Sequence, residues 1–517
     1  MKEILYVQAG SFANFVGTHF WNTQESYFTY EDGQDPPVFH DRSFREGLNG
    51  KGEPTYCPRL LLFDRTSHFG ALSDELYRDN DGPAAGQWDG GVAEYRQDPI
   101  PKSEYHNRLE VGELQDNGAE DEELASATDL TRVRFWSDYS RVFLHPRTSQ
   151  RLPDLADWEA VDGDWNKSRE TFQQHDSDHD LMENEMRSFV EECDGLQGLQ
   201  LMSDCVTFGG FTDAFLTAFR DEFPKLPSLA FPFLSEASNA LVTAEEPEAA
   251  KAINDALCLR SLENLTTLNV PIQHPATWSR GNWLDNLSLD LRSPYHTSAL
   301  VSTHIESATL PLRLKASDHD LASLGTLLNM SGTTRTVHLA GIYPLSASAS
   351  DIPMKLYDLS AVTEFRGRTA PTSVSEYGPL QVIRGNFSSA QWTKLDEVFP
   401  LRIPTSISVH APAYPTPTSF PRIVNSALPL GGADVRQNVY SALTTSSAPS
   451  RLFASYVRLA QECVDRRAEV IARMGLEFDE VRDLKDELWA LCDRYAASDE
   501  GGGGREDDGV EMGEDEE

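Results

Sequence analysis

The fold is decided by residues 1–21, MKEILYVQAGSFANFVGTHFW. An apolar, β-rich run at 4–7 is broken at Gly10, and four large apolar side chains then recur at helical spacing. Ser11 and Asn14 are available to cap that helix. A strand that enters a helix through a tight glycine turn directs the free N–H groups of the helix toward the sheet edge. The stretch therefore predicts a strand, a turn and a helix with an anion site at its N-terminus.

Composition and charge restrict the function classes. The 517 residues carry a net charge of −38, which argues against binding nucleic-acid phosphate through a basic face. Six cysteines without a CxxC pair indicate reduced thiols rather than disulfides or a zinc site. No apolar run approaches the ~20 residues of a membrane span, and the first residues resemble neither a signal nor a transit peptide. We therefore expect a protein of the cytosol or of the outer side of an organelle.

A second informative segment is residues 204–213, DCVTFGGFTD, between an apolar strand at 196–201 and an amphipathic helix at 214–223. A phosphate cradle needs consecutive small residues so that backbone N–H groups converge on the oxygens. Here Gly209 and Gly210 are flanked by Phe208 and Phe211. The rings obstruct close approach and nearby Asp213 repels phosphate, so a degenerate, structural loop is favoured over a working phosphate cradle.

These segments resemble tubulins. The opening strand ends in Gln-Ala-Gly, a Tyr-x-Pro-Arg motif at 56–59 precedes an apolar strand, and residues 193–201 are similar to the strand that delivers the tubulin phosphate loop. The resemblance implies an α/β fold with a tubulin/FtsZ-like three-layer nucleotide-domain core, a smaller α/β second domain and C-terminal helices. By matching positions it also implies a vestigial nucleotide site, made of Gly10, Ser11, Asn14, Gly209, Gly210, Thr212 and Asn254.

Departures from the tubulin pattern weaken the enzymatic interpretation. Ser11, Phe12 and Ala13 replace Gln, Cys and Gly in the first loop. In the segment where tubulins complete a neighbouring subunit's GTPase site, no Glu falls near Ala322 or Ser323. We therefore predict no catalytic residue, no efficient GTPase activity and no required cofactor, with GTP binding left open. Asp320 is better explained as a helix cap, and Asn254 as a helix residue bonded to a neighbour.

The other groups of polar residues do not indicate a metal site or a catalytic site. The segment His175–Asp180 places two histidines and three aspartates at plausible metal-ligand spacing, but it lies in a polar stretch at 148–180 that we interpret as a solvated linker. The sequence contains no G-x-S-x-G elbow, P-loop or dinucleotide-binding fingerprint. We predict no metal site.

The resulting organisation has six parts: a tubulin-like N-terminal segment (1–75), an acidic insertion (76–130), the remainder of the nucleotide-domain-like core (131–293), a second domain with a Ser/Thr/Pro-rich insertion (294–450), C-terminal helices (451–497) and an acidic tail expected to be disordered (498–517).

The phrases VRFWSD at 133–138 and FVEECDGLQG at 189–198 together resemble the misato family. That resemblance implies a non-catalytic role in mitochondrial distribution and morphology and in the partitioning of mitochondria and mitochondrial DNA. The expected location is the cytosolic face of the mitochondrial outer membrane and the cytoplasm. Expected partners are proteins, either cytoskeletal or on the mitochondrial outer surface, with no direct nucleic-acid binding. The alternatives are an active tubulin-like GTPase that polymerises and a folding or assembly factor for cytoskeletal proteins.

Overall fold

The structure is a computed structural model. It describes residues 2–28, 35–48, 54–72, 100–107, 109, 133–154, 164–238, 242–245, 247–329, 332–346, 352–362, 376–401, 403, 406–425 and 436–497.

A six-stranded parallel sheet organises the N-terminal half, in the order β5-β4-β1-β6-β7-β8. Val7 of the first strand pairs with Leu61 on one side and with Leu201 on the other, so the predicted parallel sheet is confirmed. A separate two-stranded antiparallel ribbon, β2 with β3, precedes β4. The strands are β1 (Glu3–Ala9), β2 (Phe44–Leu48), β3 (Pro54–Pro58), β4 (Leu60–Arg65), β5 (Ser149–Leu152), β6 (Leu196–Asp204), β7 (Ser228–Phe233) and β8 (Leu268–Asn269).

Helices cover both faces of this sheet. The α-helices are α1 (Ser11–Glu25), α2 (Trp165–His179), α3 (Arg187–Glu191), α4 (Cys205–Glu222), α5 (Ala249–Leu265), α6 (Pro294–Thr309), α7 (Leu321–Leu328), α8 (Ser389–Val398), α9 (Pro449–Asp465), α10 (Glu469–Arg473) and α11 (Phe478–Ala497). Leu5 and Val7 of β1 share one apolar core with α2, α4 and α5, whereas Ile4 and Tyr6 share a second core with α1 and α6. The alternation of side chains along a strand thus produces the three-layer core.

The second sheet is mixed, in the order β10-β9-β15-β11-β12, and only β11 and β12 pair in parallel. Its strands are β9 (His338–Ile342), β10 (Tyr357–Asp358), β11 (Glu376–Arg384), β12 (Ile407–Ala411) and β15 (Val439–Ser446). A separate short ribbon consists of β13 (Tyr414–Pro415) and β14 (Arg436–Gln437). Helix α6 packs against α1 and against this sheet, where the imidazole Nδ1 of His304 lies 2.9 Å from the hydroxyl of Ser441. One helix therefore joins the two α/β units.

The C-terminal helices form an outer layer on the first core. Helices α9 and α11 pack against each other and against α5. The hydroxyl of Tyr495 on α11 donates to Glu263 of α5 at 3.1 Å and accepts the backbone N–H of Thr336 at 2.7 Å. The predicted helical layer is confirmed. The acidic tail at 498–517 lies outside the described residues.

The prediction of a polar linker at 148–180 was wrong. Strand β5 and helix α2 occupy most of its described part, and Asp164 caps α2 by accepting the N–H of Lys167 at 3.0 Å. His175 is buried, with Nε2 3.1 Å from the side-chain oxygen of Gln150. The polar outer face of α2 concealed a narrow buried stripe that includes Trp165 and Phe172.

The acidic insertion at 76–130 falls mostly outside the described residues. Tyr105 within it is buried in the second core, and its hydroxyl lies 2.8 Å from that of Tyr295. In the parts of the chain listed above, no helix has the length and hydrophobicity that crossing a membrane requires. The same described parts hold no cluster of three or more potential metal-ligating side chains.

A buried ion network links the two units. Glu306 of α6 is fully buried; its Oε2 bonds Arg384 of β11, and its Oε1 lies 3.3 Å from Nη2 of Arg313. Tyr27 and Gln24 donate to the same carboxylate at 2.9 and 3.0 Å. Burial raises the pKa of Glu306, but the two guanidinium groups outweigh it and hold the pKa below its ordinary value.

We expect Glu306→Ala to lower the free energy of unfolding by about 3–5 kcal/mol, because it leaves two buried guanidinium groups without their counter-ion. Equilibrium urea denaturation measures the change. Glu191→Ala is the matched control: its partner Arg187 and Glu191 are both 64% exposed, so a loss below about 1 kcal/mol is expected. Equal losses in the two variants would contradict the assignment.

Candidate functional site

A cavity of about 550 Å³ opens at the carboxyl ends of the parallel strands. The sheet reverses its direction of growth at β1, which has β4 on one side and β6 on the other. Open α/β sheets bind ligands at such a switch point. The lining comprises Ser11, Phe12, Phe15, Arg65, His68, Asp204, Val206, Thr207, Phe233, Leu234, Ser235, Glu236, Lys251, Ile272, Gln273, His274, Pro275 and Pro294.

The N-terminus of α1 holds an anion supplied by the chain itself. The carboxylate of Asp204 accepts the backbone N–H of Phe12 at 2.9 Å and that of Ala13 at 2.8 Å. Gly10 has φ 108°, and a Cβ at this position would lie 2.5 Å from Oδ2 of Asp204, so glycine permits the approach. The predicted anion-binding helix terminus is present, and a side chain fills it.

Asp204 is half-buried at the wall of the cavity. Burial raises its pKa to about 7, the two backbone hydrogen bonds oppose that shift, and the nearby carboxylate of Asp64 adds to it. Asp64 is fully buried and accepts hydrogen bonds from the Nε1–H of Trp136 at 2.9 Å and the side-chain amide of Asn14 at 3.0 Å. His68 Nδ1 lies 2.9 Å from the same carboxylate.

Of the first-loop residues predicted from the sequence, some lie at the cavity and one lies in the core. Ser11 lines the cavity, and Gly10 lies beside Asp204. Asn14 is fully buried, and its amide donates both to Asp64 and to the backbone oxygen of Phe63 at 3.0 Å. Its side chain therefore joins α1 to β4.

The structure has no loop at 204–213, so this part of the sequence prediction was wrong. Helix α4 begins at Cys205, directly after β6. Gly210 allows α4 to approach α2, because a Cβ there would overlap the backbone oxygen of Trp165. Gly209 faces the ring of the same tryptophan, 3.1 Å from a Cβ position. Two adjacent glycines that resemble a phosphate cradle in sequence serve close helix packing.

The remaining predicted residues are on helices. Thr212 of α4 and Asn254 of α5 are buried, and neither contributes to the cavity lining described above. Asp213, expected near phosphate, instead pairs with Arg169 at 3.0 Å and accepts the hydroxyl of Ser261 at 2.7 Å. Phe208 and Phe211 lie in the apolar core rather than across the cavity.

The polar residues of the opposite wall were not predicted from the sequence. Lys251 of α5 pairs with Glu236 at 3.1 Å. His274 follows β8, and burial lowers its pKa. The available signal was positional: Arg65 and Asp204 are the last residues of β4 and β6, where a parallel sheet exposes its binding edge.

The segment before α7 has the capping role expected for Asp320. Its carboxylate accepts the N–H of Ser323 at 2.8 Å, and the hydroxyl of Ser323 accepts the N–H of Asp320 at 2.9 Å. Lys2 donates to the other carboxylate oxygen at 2.5 Å. Asp320 and Ser323 thus form a reciprocal capping box at the start of α7.

Comparison with known proteins agrees with this architecture. The model of the Misato Segment II tubulin-like domain matches residues 2–111, and that of a tubulin domain matches residues 125–314. Protein dml1 of Aspergillus niger is 31% identical over 508 residues, which cover 95% of this chain and 98% of the relative. The chain belongs to the misato family. Protein DML1 of Phaeosphaeria nodorum is 29% identical over 98% of this chain and 100% of its own length. The human protein misato homolog 1 is 26% identical over 96% and 98%.

Membership of the misato family confirms the family resemblance and the tubulin-like fold. The two matched domains include β1, β4, β6, β7 and β8, and therefore the strands whose ends form the cavity. The lining, with Asp204 in the helix terminus, is thus part of the tubulin-like core of this misato-family protein.

We expect Gly210→Ala to destabilise the protein by about 1–3 kcal/mol, because the added methyl group forces α4 away from the backbone of α2. Thermal denaturation monitored by circular dichroism measures the effect. Gly47→Ala in β2 is the control, since its Cβ meets Thr55 Oγ1 at an ordinary 3.6 Å. An unchanged melting temperature in Gly210→Ala would contradict this packing role.

Proposed function

We propose that this misato-family protein is a non-catalytic, tubulin-like organiser of mitochondria. In this proposal it acts in mitochondrial distribution and morphology and in the partitioning of mitochondria and mitochondrial DNA. The observation that carries the non-catalytic part is the direct passage from β6 into α4, because a helix stands where a nucleotide cradle needs an open loop.

The hydrogen bonding of α4 supports this proposal. A phosphate cradle works through several backbone N–H groups that point at one ligand. Within an α-helix, each N–H after the first turn donates to a carbonyl four residues earlier. Gly209 and Gly210 fall in that category. The N–H of Phe211 also lies 2.9 Å from the acceptor hydroxyl of Ser168 on α2. These backbone N–H groups therefore donate hydrogen bonds within the fold.

The start of α7 also supports the absence of efficient hydrolysis. Its first turn holds Ala322 and Ser323 rather than a glutamate, and Asp320 is engaged by Lys2 and by the cap. A carboxylate held in these contacts is poorly placed to orient a hydrolytic water on another subunit.

The mitochondrial part of the proposal rests on the family resemblance. We place the protein at the cytosolic face of the outer membrane and in the cytoplasm. The six cysteines are free thiols, as expected in a reducing compartment. A net charge of −38 disfavours adhesion to anionic lipid, so a protein receptor is the proposed tether.

The purified full-length protein should release no phosphate from GTP above the buffer rate, and adding GTP should not increase the fraction that sediments. Phosphate release and high-speed pelleting measure these properties, with tubulin assayed in parallel as the positive control. Turnover comparable to that of tubulin, or GTP-dependent pelleting, would overturn the non-catalytic part and favour a polymerising GTPase.

Protease added to intact mitochondria should digest the associated protein, because the proposed location exposes it to the cytosol. Immunoblotting measures its loss, and a matrix protein that survives serves as the control. Survival of the protein until the outer membrane is opened would refute the cytosolic-face location.

A further inference from the structure

The described lining of the cavity combines an anion-attracting environment with a resident anion. Arg65, His68, Lys251 and His274 lie on its walls, together with Glu236, which pairs with Lys251 at 3.1 Å. The N-terminus of α1 also opens here, and its aligned peptide dipoles favour negative charge. Such a combination suits a phosphate or carboxylate ligand.

The backbone donors at the centre of that environment are already used. Asp204 accepts the N–H groups of Phe12 and Ala13 at 2.9 and 2.8 Å, which are the bonds that a phosphate oxygen at a helix terminus would make. The absence of a side chain at Gly10 lets the carboxylate reach this position. The carboxylate belongs to the last residue of β6, so the rigid sheet holds it there.

We propose that Asp204 is the residue that determines the ligand class of this cavity: it supplies an internal carboxylate in the place of a phosphate and thereby excludes phosphate esters. An entering phosphate must displace a carboxylate from its two donors and remain beside its negative charge. The intact cavity is therefore restricted to uncharged or cationic ligands. This inference rests on the proposed absence of GTP turnover. It adds a cause besides the helix at the start of α4, namely the exclusion of phosphate by Asp204.

Removal of the charge should convert the cavity into an anion site. Asp204→Ser keeps an oxygen that can accept a helix-terminal N–H, and Asp204→Asn keeps the shape of the side chain. The probe is inorganic pyrophosphate, titrated by calorimetry into the full-length protein at low ionic strength and at pH 8, which lies above the pKa of about 7 for Asp204. Asp213→Ser is the matched control, because it removes a carboxylate from α4 that pairs with Arg169 outside the cavity.

We expect pyrophosphate to bind at least tenfold more tightly to Asp204→Ser and Asp204→Asn than to the parent protein or to Asp213→Ser. Equal affinities in all four proteins would overturn the inference, as would a folded Asp204 variant that gains no affinity. Unfolding of both Asp204 variants would also overturn it, because the carboxylate would then be a structural cap. GTP turnover by the parent protein would instead refute the proposed function, and it is measured separately.

Discussion

The relative position of the two α/β units depends on the buried ion network around the carboxylate of Glu306. A charge with no solvent exposure is tolerated only when every part of it is compensated, because the cost of dehydrating it is several kcal/mol. The compensation comes from separate regions: Tyr27 from the segment after α1, Arg313 from the segment after α6, and Arg384 from β11. Since the donors belong to different units, the orientation of the units is fixed along with the charge.

The same principle governs the cavity. Asp64 is a fully buried carboxylate and Asp204 a half-buried one. Each is held by donors from a neighbouring element: Trp136 and Asn14 for Asp64, and the first turn of α1 for Asp204. The N–H groups at a helix N-terminus are donors that an anionic ligand can use. Here the N–H groups of Phe12 and Ala13 donate to Asp204 of the same chain. The tubulin-like fold is therefore compatible with the proposed lack of GTPase activity.

Local sequence was a reliable guide where one pattern had one structural solution. The run around Val7, the apolar strand around Leu61 and the strand around Leu201 could be assigned because buried parallel strands require continuous apolar stretches. The local sequence was misleading where one pattern fits two different structures. Adjacent glycines suit a phosphate loop, but they equally suit a close helix crossing, and only the presence of Trp165 opposite Gly210 distinguishes the two. The linker predicted for the polar stretch containing His175 was wrong for a related reason. A helix needs only a narrow buried stripe, so most of its residues can be polar.

The sequence by itself determined the family, the parallel sheet, the anion-attracting terminus of α1 and the capping role of Asp320, since each depends on neighbours within a few residues or on a long continuous pattern. Tertiary structure alone decided what fills that terminus. Asp204 lies more than 190 positions from Phe12 and Ala13 along the chain, so their hydrogen bonds exist only because β6 pairs beside β1. Tertiary structure likewise decided that Asn14 faces the core and that Gly209 and Gly210 face a helix. Those outcomes depend on which surfaces meet, a property that no local spacing records.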